Sequence, residues 1–181
     1  MGRRLSATAV LVAALLGLGS TIWAQTVKVG FNIPLTGDIP KVGESSKFAA
    51  EIFKEEINRS GGVKVGDKTY KLEFLYEDNE SKAESATSTA LKLITQDQVL
   101  ALVGPQASKQ AIPAGQVCND HKTPMISPWS TNPKTTEGRP YVFRACFLDP
   151  FQGPVAAKFV TEEFKLKFRT PFEGWRHGII Y

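Results

Sequence analysis

Val99-Leu100-Ala101-Leu102-Val103-Gly104-Pro105-Gln106-Ala107-Ser108 begins the stretch whose reading decides the fold. An apolar run of five breaks at Gly104-Pro105, and a helix-like segment follows to about Asp120. A second short run, Pro124-Met125-Ile126, then ends in the polar loop Ser127-Pro128-Trp129-Ser130-Thr131-Asn132-Pro133. Short apolar runs bounded by turn residues are the signature of strands buried on both faces of a parallel sheet. The stretch therefore reads as strand, turn, helix, strand, loop. In such units the loops at the carboxyl ends of neighbouring strands face one crevice, where ligands bind.

The residues placed at those strand ends carry chemistry. Ser108 stands where the chain turns into a helix. A hydroxyl there, with unpaired N–H groups and the positive end of the helix dipole, suits a carboxylate or other small anion. The next loop offers Trp129, Ser130, Thr131 and Asn132, whose hydroxyls and turn carbonyls can accept from an ammonium. A neutral, strongly dipolar site of this kind suits a zwitterion. The competing reading makes Ser108 an N-cap and Ser127 to Asn132 plain turn chemistry. The sequence alone leaves both open.

Working outward, Val27 to Phe31 is a first strand, and Asn32 to Gly43 is a loop rich in turn residues. A helix is predicted from about Glu44 to Asn58, with Ala49, Ile52, Phe53 and Ile57 on its inner face. Gly61-Gly62 stops it, and Gly66-Asp67 turns into a strand, Lys71 to Tyr76. The acidic cluster Glu77-Asp78-Asn79-Glu80 lacks the spaced ligands and turn glycine of a calcium loop and reads as a solvated strand end. A helix from about Lys82 to Gln96 buries Ala83, Ala86, Ala90, Leu93 and Ile94. In the helix after Ser108, Pro113 is expected near the first turn, since deeper inside it removes a bond and clashes. Tyr141 to Arg144 is a fifth strand. Asp149 to Pro154 breaks the chain, and a helix from about Val155 to Lys167 turns Val155, Phe159, Val160 and Phe164 inward. Gly178 to Tyr181 resembles a strand beginning.

Five strands with interleaved helices predict a doubly wound, mostly parallel α/β sheet, for which 2-1-3-4-5 is a common order. The switch point then lies between strands one and three. The loops after these strands border one crevice, placing Ser108 beside Val42 and near Thr131.

Length and composition set the limits. The 181 residues make one domain, or one and part of another. With 42% hydrophobic and 22% charged residues the chain is globular rather than disordered. The 22 basic and 18 acidic residues give +4. Arg3 and Arg4 belong to the leader, and without them the balance is 20 against 18, or +2. The basic residues lie scattered among acidic ones, unlike a nucleic-acid surface. Met1 to Ala24 reads as a signal peptide: Arg3 and Arg4, the apolar Ala7 to Leu18, and Ile22-Trp23-Ala24 before a mature start at Gln25. Its apolar core is shorter than the ~20 residues a spanning helix needs. Export permits a disulfide, and Cys118 with Cys146 is the one intrachain pairing available; their separation stays open.

Catalytic and cofactor chemistry finds little footing. The chain has no G-x-G-x-x-G or P-loop, and Ser108 does not sit in a G-x-S-x-G elbow. His121 follows the helix, at the far end from Ser108. Cys118 with His121 is half a metal site at best. Neither a cofactor nor a metal is expected, and binding is favoured over catalysis. A secreted hydrolase is the weaker alternative.

From Gln25 on, the chain resembles the leucine/isoleucine/valine-binding family of periplasmic binding proteins, the branched-chain amino-acid receptors of bacterial ABC importers. The resemblance rests on Ile33-Pro34-Leu35-Thr36-Gly37, Glu56-Ile57-Asn58 with Gly61-Gly62, and Val103-Gly104-Pro105 through Ser108. It continues in Pro124-Met125-Ile126-Ser127-Pro128 through Pro133, in Val142-Phe143-Arg144 through Asp149, and in Gln152-Gly153. It implies two α/β lobes closing on an amino acid or small amide, with no enzymatic step, and delivery to a membrane permease. It implies that Ser108 holds the ligand carboxylate, that the Trp129 carbonyl and Thr131 hydroxyl accept from its ammonium, and that Val42 lines the side-chain pocket. Asp149 is implied as a weaker ammonium partner. Ala107 stands where well-known members carry a disulfide cysteine, so that bond is not expected. The domain plan implied is a signal peptide (1–24), a first lobe (25–148) and a crossover into a second lobe (149–181), whose own ligand residues would lie beyond Tyr181. A sensory module of the same fold is the alternative within the family.

Overall fold

The computed structural model describes residues 25–163. The expected signal peptide, Phe164 and the strand at Gly178 to Tyr181 lie outside the described residues.

Six strands form one sheet: β1 (Gln25–Ile33), β2 (Val63–Val65), β3 (Lys68–Asp78), β4 (Ala101–Val103), β5 (Met125–Ser127) and β6 (Val142–Arg144). Their order is β2-β3-β1-β4-β5-β6. All pairs are parallel except β2 with β3, a hairpin closed across Gly66-Asp67. The sheet thus has one strand more than the five expected. All three residues of β2 are exposed, so Val63-Lys64-Val65 carried no burial pattern to betray it. Without β2 the order is the expected one, and the switch point falls between β1 and β4.

The described residues also form four α-helices: α1 (Pro40–Arg59), α2 (Ala83–Thr95), α3 (Ser108–Asp120) and α4 (Asp149–Glu162). One side of the sheet carries α2 and α3. Small residues at helical spacing, Ala86 and Ala90 on α2 and Ala111, Ala114 and Cys118 on α3, let these helices sit close over Leu102, Met125 and Val142. The other side carries α1 above Phe31, Phe74 and Tyr76, whose rings stack with centroids 4.8 and 5.0 Å apart about Phe31.

Several expectations are corrected. Helix α1 begins at Pro40, not Glu44, because proline is preset for the first helical turn. Gly43 lies inside it, where a Cβ would stand 2.1 Å from the Pro34 carbonyl oxygen. Its sheet-facing side is also not the predicted one. Ala49, Ile52 and Phe53 are exposed, while Gly43 and Ala50 are buried. Glu51 and Lys54 lie toward the sheet instead. The Tyr76 hydroxyl donates to Glu51 at 2.7 Å, and the Lys54 ammonium rides 5.9 Å above the Phe74 ring. Burial, then the bond to Glu51, raises the Tyr76 phenol above its ordinary range.

Pro113 sits in the second turn of α3 rather than the first. The carbonyl it leaves without a helical partner belongs to Lys109, an exposed residue, so water can take the missing donor's place. Helix α4 begins at Asp149, with Pro150 in its first turn, so Asp149 to Pro154 starts a helix instead of breaking the chain. None of its residues is buried, against the expectation for Val155, Phe159 and Val160. Cys118 and Cys146 are both free thiols, and burial pushes Cys118 up to about 12.

Candidate functional site

The carboxyl ends of β1, β4 and β5 meet at the switch point, and the loops after them are held by buried polar side chains. Asn32, at the end of β1, donates to the Ala86 carbonyl at 2.8 Å and accepts from Asn79 at 3.0 Å. Asn79 accepts from the Ser81 N–H at 3.0 Å, and the Ser81 hydroxyl donates to the Thr36 carbonyl at 3.2 Å. Gln110 of α3 donates to the Ser81 carbonyl. One network therefore joins the loops after β1 and β3 to the start of α3. The acidic cluster adds a clasp. Asp78 accepts from the N–H groups of Leu35 and Thr36 at 2.9 and 3.1 Å and from the Thr36 hydroxyl at 2.5 Å. Burial alone would raise its carboxyl, but these bonds, with one from the Glu80 N–H, outweigh it and hold Asp78 below the ordinary carboxylate range.

Gly104 makes the approach of β4 to β1 feasible. Its φ is +93°, and a Cβ there would stand 2.2 Å from the Asn32 carbonyl oxygen. Beyond it, Gln106 is buried and donates to Ser46 of α1 at 3.0 Å; Ser46 in turn donates to the Val42 carbonyl at 2.7 Å. Gln106 thereby ties the loop after β4 to α1 one turn beyond Val42, which is half-buried in the first turn of that helix.

Ser108 is the first residue of α3 and not its cap. Ala107, in extended backbone, precedes it, and no side chain caps the helix. The first N–H groups of α3 and the Ser108 hydroxyl therefore stand at the crevice edge as donors. The turn-chemistry reading holds for Asn132, whose side chain accepts from the Lys134 N–H at 3.0 Å ahead of a short 3-10 turn, Pro133–Thr135.

The loops after β4 and β5 are stitched together. Ser127 donates to the Pro105 carbonyl at 2.6 Å and accepts from the Ser130 N–H at 3.2 Å. Ser130 donates to the Ser108 hydroxyl at 2.9 Å. Arg144 of β6 fixes the outer part of the second loop, donating to the carbonyls of Ser130, Asn132 and Pro133 at 2.8, 2.9 and 3.1 Å and to the Thr136 hydroxyl at 2.7 Å. Thr131 is half-buried, and its carbonyl accepts from the Asp149 N–H at 3.0 Å. The Thr131 hydroxyl and the Trp129 carbonyl have no partner among the described residues. The Trp129 ring is exposed. The Asp149 carboxylate is exposed and accepts from Gln152 at 3.4 Å, while its backbone ties α4 to Thr131.

Ser130 thus ties the loop that carries Trp129 and Thr131 to Ser108, Gln106 ties the loop after β4 to Ser46, one turn beyond Val42, and the Asp149 N–H bonds to the Thr131 carbonyl. Sequence reasoning missed Asn32, Asn79, Gln106, Ser127 and Thr135, all buried, since asparagines and hydroxyls at strand ends look like turn formers. His121 lies at the opposite end of α3, roughly 20 Å along a 13-residue helix at ~1.5 Å per residue, too far to serve Ser108 as a base. Among the described residues no group of three or more His, Cys, Asp or Glu is placed to hold a metal ion.

Comparison with known proteins bears on what such a crevice does. The family model described as periplasmic binding protein matches residues 26–170. The leucine-, isoleucine-, valine-, threonine-, and alanine-binding protein of Pseudomonas aeruginosa is 34% identical over 145 residues, covering 80% of this chain and 38% of that protein. The branched-chain amino acid transporter substrate binding protein LivJ from Streptococcus pneumoniae, solved with isoleucine, superposes with a TM-score of 0.71 at 33% identity, covering 78% of this chain and 39% of that one. A solute binding protein of an ABC transporter from Rhodopseudomonas palustris, solved with p-hydroxybenzoic acid, gives a TM-score of 0.64 at 26% identity, covering 77% of this chain and 36% of that one. The chain spans about two fifths of the length of these proteins.

Proposed function

This chain belongs to the periplasmic binding protein family, and we propose that it is the first lobe of a substrate-binding protein that captures an amino acid, branched-chain or related, or a small amide outside the inner membrane for an ABC importer. On this reading Met1 to Ala24 directs export to the periplasm, residues 25–148 form the lobe, and Asp149 begins the crossover to a second one. A membrane permease is the partner that takes the ligand on.

The observation that carries the reading is the pairing of two donor and acceptor sets across one seam. The uncapped start of α3 supplies N–H groups and the Ser108 hydroxyl, suited to a carboxylate. The facing loop supplies the Thr131 hydroxyl and the Trp129 carbonyl, suited to an ammonium, and Ser130 joins the two sides at 2.9 Å. Val42 would line the space for the ligand side chain, and Asp149 would add a weaker charge at the rim. Two relatives' names support the same class of ligand: leucine, isoleucine, valine, threonine and alanine for the Pseudomonas protein, and branched-chain amino acids for the Streptococcus one. Those relatives are binding proteins, in keeping with a chain that performs no reaction.

Calorimetry of the exported protein, as its gene encodes it, against leucine, isoleucine, valine, alanine and glutamate tests the reading. Micromolar or tighter binding of one of these, with the ligand recovered unchanged, is expected. Failure to bind any amino acid or small amide rejects it. Ser108→Ala and Thr131→Ala each remove a hydrogen bond to a charged group, worth ~1.5–3 kcal/mol, so affinity should fall roughly 10- to 150-fold.

A further inference from the structure

Behind Ser108 stands a second hydroxyl, and behind that a third. Ser130 Oγ lies 2.9 Å from Ser108 Oγ and 2.6 Å from Thr135 Oγ1. Ser130 and Thr135 are both fully buried, while Ser108 is half-buried at the crevice edge. Each hydroxyl owns one proton and can accept through its lone pairs. Three hydroxyls in a row can therefore be ordered in two directions.

If Ser108 donated inward to Ser130, Ser130 would donate to Thr135, and the Thr135 proton would need an acceptor in the interior. Thr135 Oγ1 has no second partner among the described residues, so that order strands a buried donor. In the opposite order Thr135 donates to Ser130, Ser130 donates to Ser108, and the Ser108 proton is the one left over, at the edge that faces the crevice. Nothing is stranded, because an incoming acceptor or water completes the row. Each donated bond also polarises the next hydroxyl, so a row that runs one way strengthens its last donor.

We propose that Thr135 and Ser130 form a one-way hydroxyl relay that holds the Ser108 proton outward, making Ser108 a preset donor to a ligand carboxylate. Ser130 and Thr135 are positioning residues: they act through Ser108 and do not touch the ligand. Arg144 keeps the relay in place from outside, through its bond to the Ser130 carbonyl at 2.8 Å. The proposal rests on the reading of Ser108 as the carboxylate donor and adds to it the residues that set its direction.

The test uses the exported protein as its gene encodes it, titrated with the tightest-binding amino acid among leucine, isoleucine, valine, alanine and glutamate, and with the α-carboxamide of that amino acid. Ser130→Ala should weaken the amino acid by ~10-fold or more, the scale of one hydrogen bond to a charged group. Thr135→Val, nearly isosteric and so the safer variant for folding, should weaken it less. Both should change the carboxamide little, because the uncharged group draws less on an aligned donor. In a Ser108→Ala background neither substitution should cost anything further, and Ser130→Thr, which restores a hydroxyl, should recover most of the loss. Equal losses for acid and carboxamide, or losses that persist without the Ser108 hydroxyl, would overturn the relay and mark Ser130 and Thr135 as packing residues. Unchanged affinity in both variants would overturn it as well. A wild-type protein that binds no amino acid defeats the underlying reading instead, which separates the two failures.

Discussion

Two rows of side chains cross the sheet one residue apart, and they fare differently. Leu75, Gly30, Leu102, Met125 and Val142 are register neighbours on the face that carries α2 and α3; Leu102 and Met125 are sealed from solvent and Val142 nearly so. Tyr76, Phe31, Val103, Ile126 and Phe143 are register neighbours on the face that carries α1. Phe31 is 7% exposed, Ile126 39% and Phe143 53%. Apolar content is similar in the two rows, so among the described residues the difference comes from cover: two helices on one face, and on the other α1, which lies over β3 and β1. The closed face holds the fold together. The half-clad face ends, at its carboxyl edge, in the loops that build the crevice.

This contrast can be broken most forcefully on the closed face. Leu93 is fully buried between α2 and the sheet, where it packs over Gly30. Leu93→Ala should cost ~2–5 kcal/mol, since a well-packed site collapses only in part around the lost volume. Chemical denaturation measures it, and a loss below about 1 kcal/mol would mean that the closed face does not carry the fold.

Asp78, at the crevice end of β3, should give a smaller and pH-dependent effect. Its folded carboxyl is held below the ordinary range, so its stabilisation is present above that range and is lost as pH falls through the depressed value. Asp78→Asn should therefore cost ~1–2 kcal/mol at neutral pH, allowing for its partial exposure. The gap between wild type and variant should narrow on acidification. Thermal melts across pH will show whether it does; a gap that widens in acid contradicts the clasp. The smallest effect is expected on the half-clad face. Phe143→Ser should change stability by no more than ~0.5 kcal/mol, as at other exposed positions. A loss comparable to that of Leu93→Ala would show that this face is covered after all.

Much of this was legible in the residues. The five parallel strands and the inner face of α2 follow from short apolar runs, alternation and helical spacing, and the strand order is the one common to sheets of this type. Failures came where burial and polarity part company. On α1 the long side chains of Glu51 and Lys54 cover the aromatic rings of β3, so the apolar stripe of Ile52 and Phe53 pointed to the wrong side. On α4 nothing is buried, so its spacing carried no information, and Pro150 read as a breaker although it starts the helix. Ser108 and Thr131 were singled out because the loops after the strands in this topology border one crevice. Ser130 was singled out with them, but as a ligand contact and not as a buried link to Ser108, and Thr135 was not seen at all, because a buried hydroxyl in a loop looks, in sequence, like any turn residue.

The proposed ligand position lies across the seam between the start of α3 and the loop after β5. Its most direct test is a backbone amide NMR titration of the isotopically labelled exported protein with the amino acid it binds best. The largest shifts are expected at Ser108, Lys109 and Ser130 to Asn132, with little change along α4 or the outer side of α1. Shifts concentrated at Phe48, Ile52 and Phe53, or along Phe151 to Phe159, with Ser108 and Thr131 unmoved, would contradict it.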